Sequence, residues 1–271
     1  MDEKQEIIPG PLSHWLREAG KLAVALSGGV DSGALLAAAV RVLGSARCLA
    51  VTAVPPYVRR REVAAAVMLA RRFGVRHEAV SMETPVAVAG NPPLRCYYCK
   101  KEIFSRLGET ARGAGFPLLA DGTNADDRND YRPGMRALKE LGVASPWLAC
   151  GLGKQMIRRV GRALGLPPAV ADAPPSPCLL TRLEHGVEVD EELLRRIERA
   201  EDWLAREVGG VVRLRCLRGG AARVELEPER VVLLAGGERR ERCRAALLAL
   251  GFASWSVDPK GYRSGSMNFL P

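Results

Sequence analysis

The chain has 271 residues, of which 47% are hydrophobic, and a formal net charge of +9. That length buries one large core or two smaller ones, and no run approaches the roughly 18 apolar residues of a membrane span. The opening residues are polar and lack a basic region leading into an apolar one, so no signal peptide and a cytoplasmic location are expected.

Seven cysteines, an odd number that includes one CxxC pair, point to metal or redox chemistry rather than a disulfide framework. The positive charge comes from seven lysines and 33 arginines with no run of five like charges. It is read as an ordinary solvated surface with a phosphate pocket, in preference to a nucleic-acid footprint.

In chain order, strands are predicted at residues 22–26, 48–54, 76–81, 117–120 and 144–148. Helices are predicted between and after them, at 32–43, 60–73, 100–114, 131–141 and 154–164. Strands alternating with helices of this length predict a doubly wound parallel sheet, an α/β domain over residues 1–165. Residues 166–181 are rich in proline and predict an extended, functional loop carrying Cys178. Residues 182–271 predict a smaller α+β unit. It comprises a helix over 190–206, a hairpin of 211–217 and 221–226, helices over 228–235 and 238–250, and a strand at 253–257.

Ser27-Gly28-Gly29-Val30-Asp31-Ser32 stands between the first strand and the first of these helices. Glycines there let the backbone approach an anion, and the first N–H groups of the helix point at it. Ser27 and Ser32 add hydroxyl donors, and Asp31 is suited to a Mg²⁺ that neutralises phosphate charge. No Gly-Lys-Ser/Thr follows, so this is not a Walker loop. SGGxDS resembles the PP-loop of the ATP pyrophosphatases, which split ATP between its α and β phosphates and adenylylate an oxygen.

Cys96 and Cys99 form the CxxC pair, and neither a second pair nor histidines at zinc-finger spacing accompany it. With Cys178 they make three thiols, which in a PP-loop chain suggests a [4Fe–4S] cluster with one open iron. Cys48, Cys150, Cys216 and Cys243 read as small core residues. The expected chemistry activates a carboxylate as its acyl-adenylate and displaces AMP with sulfur. The sulfur comes from sulfide at the cluster or from the Cys178 thiolate itself.

Several segments together resemble the LarE family of ATP-dependent sulfur transferases. They are SGGVDS, NPPLRCYYCKK from Asn91, DGTNADD from Asp121, DYRPG from Asp130, Pro177-Cys178-Leu179 and GYRSGSMN from Gly261. The resemblance implies conversion of the carboxylates of a pyridinium dicarboxylate mononucleotide to thiocarboxylates, in biosynthesis of the nickel-pincer nucleotide. It implies ATP, Mg²⁺ and, in the branch with three cysteines, a [4Fe–4S] cluster fed by a sulfide donor. It also implies a homo-oligomer.

By the same resemblance, Ser27, Gly28, Gly29 and Ser32 hold the ATP phosphates. Lys100 or Lys101 offsets charge at the α-phosphate, and Gly122, Thr123 and Asn124 border the nucleotide. An anionic substrate needs arginines: Arg213, Arg215 and Arg223 in the hairpin, Arg182 after Cys178, and Arg263 with Ser264 in the GYRSGS loop. Three other classes remain in view. A cluster-bearing tRNA 2-thiolase fits the charge, but no appended basic RNA-binding domain is seen. An amidotransferase-type ligase leaves the cysteine trio without a task. A nucleotide sensor that does not turn ATP over leaves Asp31 and those cysteines without one.

Overall fold

The computed structural model describes residues 7–129 and 133–263. The chain forms two compact units, one of residues 1–83 and 96–176, the other of residues 84–95 and 177–271.

The first unit opens with α1 (Gly10–Ala19), β1 (Leu22–Ala25), α2 (Val30–Leu43), β2 (Cys48–Val54), α3 (Arg60–Arg72) and β3 (Arg76–Ser81). The short turn α4 (Val86–Ala89) belongs to the second unit. Then come α5 (Arg95–Gly113), β4 (Leu119–Ala120), α6 (Pro133–Glu140), α7 (Pro146–Ala149), α8 (Lys154–Ala163) and α9 (Pro168–Ala171). The four strands pair in parallel in the order β3-β2-β1-β4.

Period-two alternation along β1 serves two cores. Leu22 and Val24 pack with Leu12, Leu35, Leu36, Ile157 and Val160, whereas Ala23 packs with Leu49, Leu107 and Ala111. Helices thus cover both faces, as a parallel sheet requires. The strand order reverses between β1 and β4. In such sheets the crevice at that switch, outside the carboxyl ends of the strands, takes the ligand.

The second unit holds α10 (Glu191–Val208), β5 (Val212–Cys216), β6 (Ala221–Leu226), α11 (Gly237–Ala249) and β7 (Ser254–Val257). β5 and β6 are antiparallel, and β7 adds to β6 in parallel. Asp190 caps α10 by accepting from the Leu193 N–H at 2.8 Å, and Leu194, Ile197, Ala200 and Leu204 give the helix its buried stripe.

Two expectations are corrected, and one helix is added. Residues 144–148 are not a strand: only Ala144 bridges to Ala120, and Pro146, with no N–H for a ladder, starts α7. The proline-rich stretch is not wholly extended, because Pro168 starts the turn α9 and Leu179–Arg182 form a 3₁₀ turn. Helix α1 was not among the predicted elements; its Pro11 stands in the first turn, which proline suits. The start of the helix expected over 131–141 lies outside the described residues.

Candidate active site

The loop after β1 is shaped by its glycines and serines. Gly28 has φ +81°, and a Cβ there would collide with the Glu62 carbonyl of α3. The Ser27 and Ser32 hydroxyls lie 3.0 Å apart, and the Ser27 N–H donates to the Ser32 hydroxyl at 3.1 Å. Gly29 precedes α2 in an extended conformation, and no side chain caps the helix. The first N–H groups of a 14-residue helix therefore stay available to an anion.

Across the crevice, the chain after β4 comes very close. A Cβ on Gly122 would lie 2.8 Å from the Ser32 nitrogen and 3.0 Å from the Asp31 Cβ. Asp121, 5% exposed, organises this side. Its carboxylate accepts from the Ser145 hydroxyl at 2.6 Å, from the Thr123 N–H at 3.2 Å and from the Thr123 hydroxyl. The Asn124 side chain accepts from the Asp126 N–H at 3.1 Å. Thr123 and Asn124 thus shape the loop, and Gly122 supplies the close approach.

Asp31 sits in the first turn of α2. Its Oδ2 pairs with the Lys154 ammonium, and its buried Oδ1 has no hydrogen-bond partner. Burial raises its pKa above the ordinary aspartate value, and Lys154 pulls it back. An unpartnered buried carboxylate oxygen beside a phosphate cradle fits a hard cation such as Mg²⁺.

Lys154 was missed in the sequence. It opens α8, where a basic residue opposes the helix dipole, and that misplacement was the available signal. Its backbone N–H is held by Asp126 at 2.8 Å. Trp147 donates to the Asp31 carbonyl at 3.0 Å and fixes the turn from behind.

The two lysines after the CxxC pair part company. Lys100 reaches to 4.0 Å from Asp121 Oδ2 and so lies beside the crevice. Lys101 pairs with Glu140 at 2.7 Å and bonds the Tyr97 hydroxyl at 3.2 Å, in an exposed cluster where Arg136 stacks on the Tyr97 ring.

Cys96 and Cys99, in the first turns of α5, belong to the first unit, and Cys178 belongs to the second. No disulfide joins any of the cysteines. Among the described residues, no three His, Cys, Asp or Glu side chains form a metal-binding group. Within the first unit, Cys96 and Cys99 are two sulfur donors three residues apart in α5, a pair whose chemistry suits a thiophilic metal. Cys48 and Cys243 are core residues whose thiol pKa values burial pushes up to about 11, and burial also raises those of Cys150 and Cys216.

Within the second unit, Asn91 and Arg95 lead into Cys96. Asn91 adopts φ +46° and donates to the Leu183 and Glu184 carbonyls at 3.2 and 2.9 Å. Arg95 Nη1 lies 2.7 Å from His185 Nδ1. These partners follow Cys178 in the chain.

The predicted arginines cluster around the small sheet. The register pairs Arg213 with Glu225 and Arg215 with Arg223, so all four share a face. Arg215 bonds Glu225 at 2.9 Å and the Thr181 carbonyl at 2.8 Å. Arg223 lies 3.6 Å from Glu225, and its guanidinium crosses to Asp258, which Arg263 also approaches at 3.8 Å. Arg213 stacks on Tyr262, with 5.3 Å to the ring centre. Arg182, 0% exposed, donates to Glu201 through Nε and Nη2 and to the Pro177 carbonyl through Nη1 at 2.8 Å, so it braces the Cys178 loop. Ser264 lies outside the described residues.

A parallel sheet with a glycine-serine anion loop at its switch point, an acidic residue for a cation and no Walker lysine defines a PP-loop ATP-using enzyme. The family model described as NAD synthase matches residues 14–105. Over 260 residues, 95% of each chain, the protein is 36% identical to an uncharacterized protein of Synechocystis. It is 29% identical to an uncharacterized protein of Methanocaldococcus jannaschii, covering 90% of this chain and 91% of that one. It is 31% identical to the pyridinium-3,5-bisthiocarboxylic acid mononucleotide synthase of Lactiplantibacillus plantarum, covering 93% of this chain and 91% of that one. The chain belongs to the LarE family of sulfur transferases.

Proposed function

We propose that this protein adenylylates a carboxylate of a pyridinium dicarboxylate mononucleotide and converts it to a thiocarboxylate, with sulfur brought through Cys96, Cys99 and Cys178. The observation that carries the reading is the phosphate cradle of the first unit, in a chain whose Cys96, Cys99 and Cys178 are all free of disulfides. The Lactiplantibacillus plantarum relative is a pyridinium-3,5-bisthiocarboxylic acid mononucleotide synthase, which supports the reading.

The carboxylate oxygen attacks the α-phosphorus of ATP, and the bond to the β-phosphate oxygen breaks, giving acyl-AMP and pyrophosphate. Hydrosulfide then attacks the acyl carbon. The C–O bond to AMP breaks, and a thiocarboxylate, AMP and a proton leave. The free N–H groups of α2 and the Ser27 and Ser32 hydroxyls hold the phosphates. Asp31 would hold Mg²⁺, and Lys100 and Lys154 offset charge that grows on the phosphates in the transition state. A cluster on the three cysteines would supply an open iron that binds sulfide. The buried guanidiniums around Glu225 suit the substrate's phosphate and carboxylates.

The test is anaerobic purification of wild type and Cys178→Ala, with iron and sulfide assayed in each. About four of each per wild-type chain, sharply reduced in the variant, is the expected result. A wild type that takes up neither on reconstitution overturns the cluster. Loss of one sulfur from Cys178 after a single turnover would then make that residue the donor.

A further inference from the structure

Thr52 lies on β2 and is 3% exposed. Its hydroxyl donates to the Leu26 carbonyl at 2.7 Å, and Nε2 of His77, on the edge strand β3, lies 2.8 Å from the same hydroxyl oxygen. All three residues belong to the first unit. A threonine hydroxyl carries one proton, and a carbonyl oxygen only accepts. Two oxygens 2.7 Å apart need a proton between them, so the Thr52 proton is committed to Leu26. The contact with His77 then has one reading: Nε2 carries a proton and donates to Thr52. Burial lowers the His77 pKa, with the Glu78 charge working against it. Above neutral pH the ring is therefore neutral and keeps its single proton on Nε2.

Leu26 stands immediately before Ser27-Gly28-Gly29. The Leu26 carbonyl and the Ser27 N–H are the two ends of one trans peptide and point to opposite sides. Thr52 holds the carbonyl, while the N–H donates to the Ser32 hydroxyl in the first turn of α2 at 3.1 Å. The peptide that enters the phosphate loop is thus tied at both ends, to the sheet on one side and to the helix on the other. Its tilt sets where the Ser27 side chain and the glycine N–H groups after it point. Gly28 lies against the Glu62 carbonyl, where not even a Cβ fits, so the loop has little room to absorb a change of tilt.

We propose that Thr52 and His77 are positioning residues for the ATP phosphates: His77 Nε2–H directs the Thr52 hydroxyl at Leu26, and that bond holds the phosphate loop in its anion-binding tilt. Both act through the Leu26–Ser27 peptide rather than by touching the nucleotide. The proposal rests on the loop as an ATP site and on no part of the sulfur chemistry.

The test uses the full chain. ATP with Mg²⁺ is titrated calorimetrically into wild type, Thr52→Val and Thr52→Ser. Nitrogen NMR of the histidine rings reads the tautomer, and with three histidines in the chain His77→Gln identifies the signals of His77. Thr52→Val keeps the shape but removes the donor and strands a buried carbonyl, so ATP should bind about 10-fold more weakly. Thr52→Ser restores the hydroxyl and should recover most of that loss, which a packing role of the threonine methyl would not allow. The His77 proton should be on Nε2 in wild type. Unchanged ATP affinity in Thr52→Val, a Thr52→Ser as weak as Thr52→Val, or a His77 proton on Nδ1 overturns the proposal. If Thr52→Val does not fold, His77→Phe takes its place: it deprives Thr52 of the Nε2–H and should weaken ATP binding, and an unchanged affinity there overturns the proposal. Failure of the ATP reading looks different: no protein in the series, wild type included, then binds ATP, whatever the His77 tautomer.

Discussion

The two units handle charge in opposite ways. The first leaves groups unspent at its crevice: the uncapped start of α2, the unpartnered Oδ1 of Asp31 and a half-exposed Lys100. The second packs arginines against Glu201 and Glu225 in its interior. Charge can thus be left open on neutral backbone at the mouth of a sheet, or matched internally between guanidiniums and buried carboxylates. The first costs little desolvation. The second is costly to bury, and its groups depend on one another for partners.

The largest effect should come from breaking the second arrangement. Arg215→Met leaves Glu225, 1% exposed, without its closest cation, and removing one partner of a buried pair costs about 3–5 kcal/mol. Urea unfolding should show that loss, and a variant within about 0.5 kcal/mol of wild type would mean the pair is not buried as described. Breaking the first arrangement should spare the fold more than the chemistry. Gly28→Ala forces a Cβ into the Glu62 carbonyl at φ +81°, and pyrophosphate release should fall about 100-fold, roughly 2.7 kcal/mol in the barrier.

The lysines sharpen the comparison on a smaller scale. Lys100→Ala should slow adenylylation about 10-fold, and Lys101→Ala should leave it unchanged, because only Lys100 approaches Asp121. Equal losses would place both at the phosphates.

The smallest expected effect is on pH dependence. The His185 pKa is lowered by burial and then by the Arg95 charge, so the folded state favours neutral imidazole. Its contribution is present above the ordinary pKa of about 6.5 and is lost as pH falls toward the lower folded value. His77, whose pKa burial also lowers, acts in the same direction. Wild type should lose more stability than His185→Gln between about pH 7.5 and about pH 5, as thermal unfolding would show. Parallel curves would remove His185 from the account.

The first unit was more legible than the second. Strand and helix periodicity placed β1 to β3 with α2 and α3 within a residue or two, whereas α5 begins five residues before its predicted start, and SGGVDS marked the crevice from type and order alone. Residues 144–148 misled because a short apolar run does not reveal whether its proline opens a helix. Lys154 left only the trace of a basic residue at a helix start, because its pairing with Asp31 joins two elements far apart in sequence. Period two correctly put Arg213 and Arg215 on one face. It could not show that Glu225, on the neighbouring strand, lies between Arg215 and Arg223, or that Arg182 is committed to Glu201. Those facts depend on register and burial, which arise only when the strands pair.

The central claim is that ATP cleavage here serves carboxylate-to-thiocarboxylate exchange. The direct measurement incubates the anaerobically purified protein with ATP, Mg²⁺, sulfide and pyridinium-3,5-dicarboxylic acid mononucleotide, then follows pyrophosphate and the mass of the nucleotide. Pyrophosphate release dependent on that nucleotide, with oxygen replaced by sulfur in the product, is the predicted result. Pyrophosphate release with no sulfur gained by the nucleotide, or none released with this substrate, would contradict it.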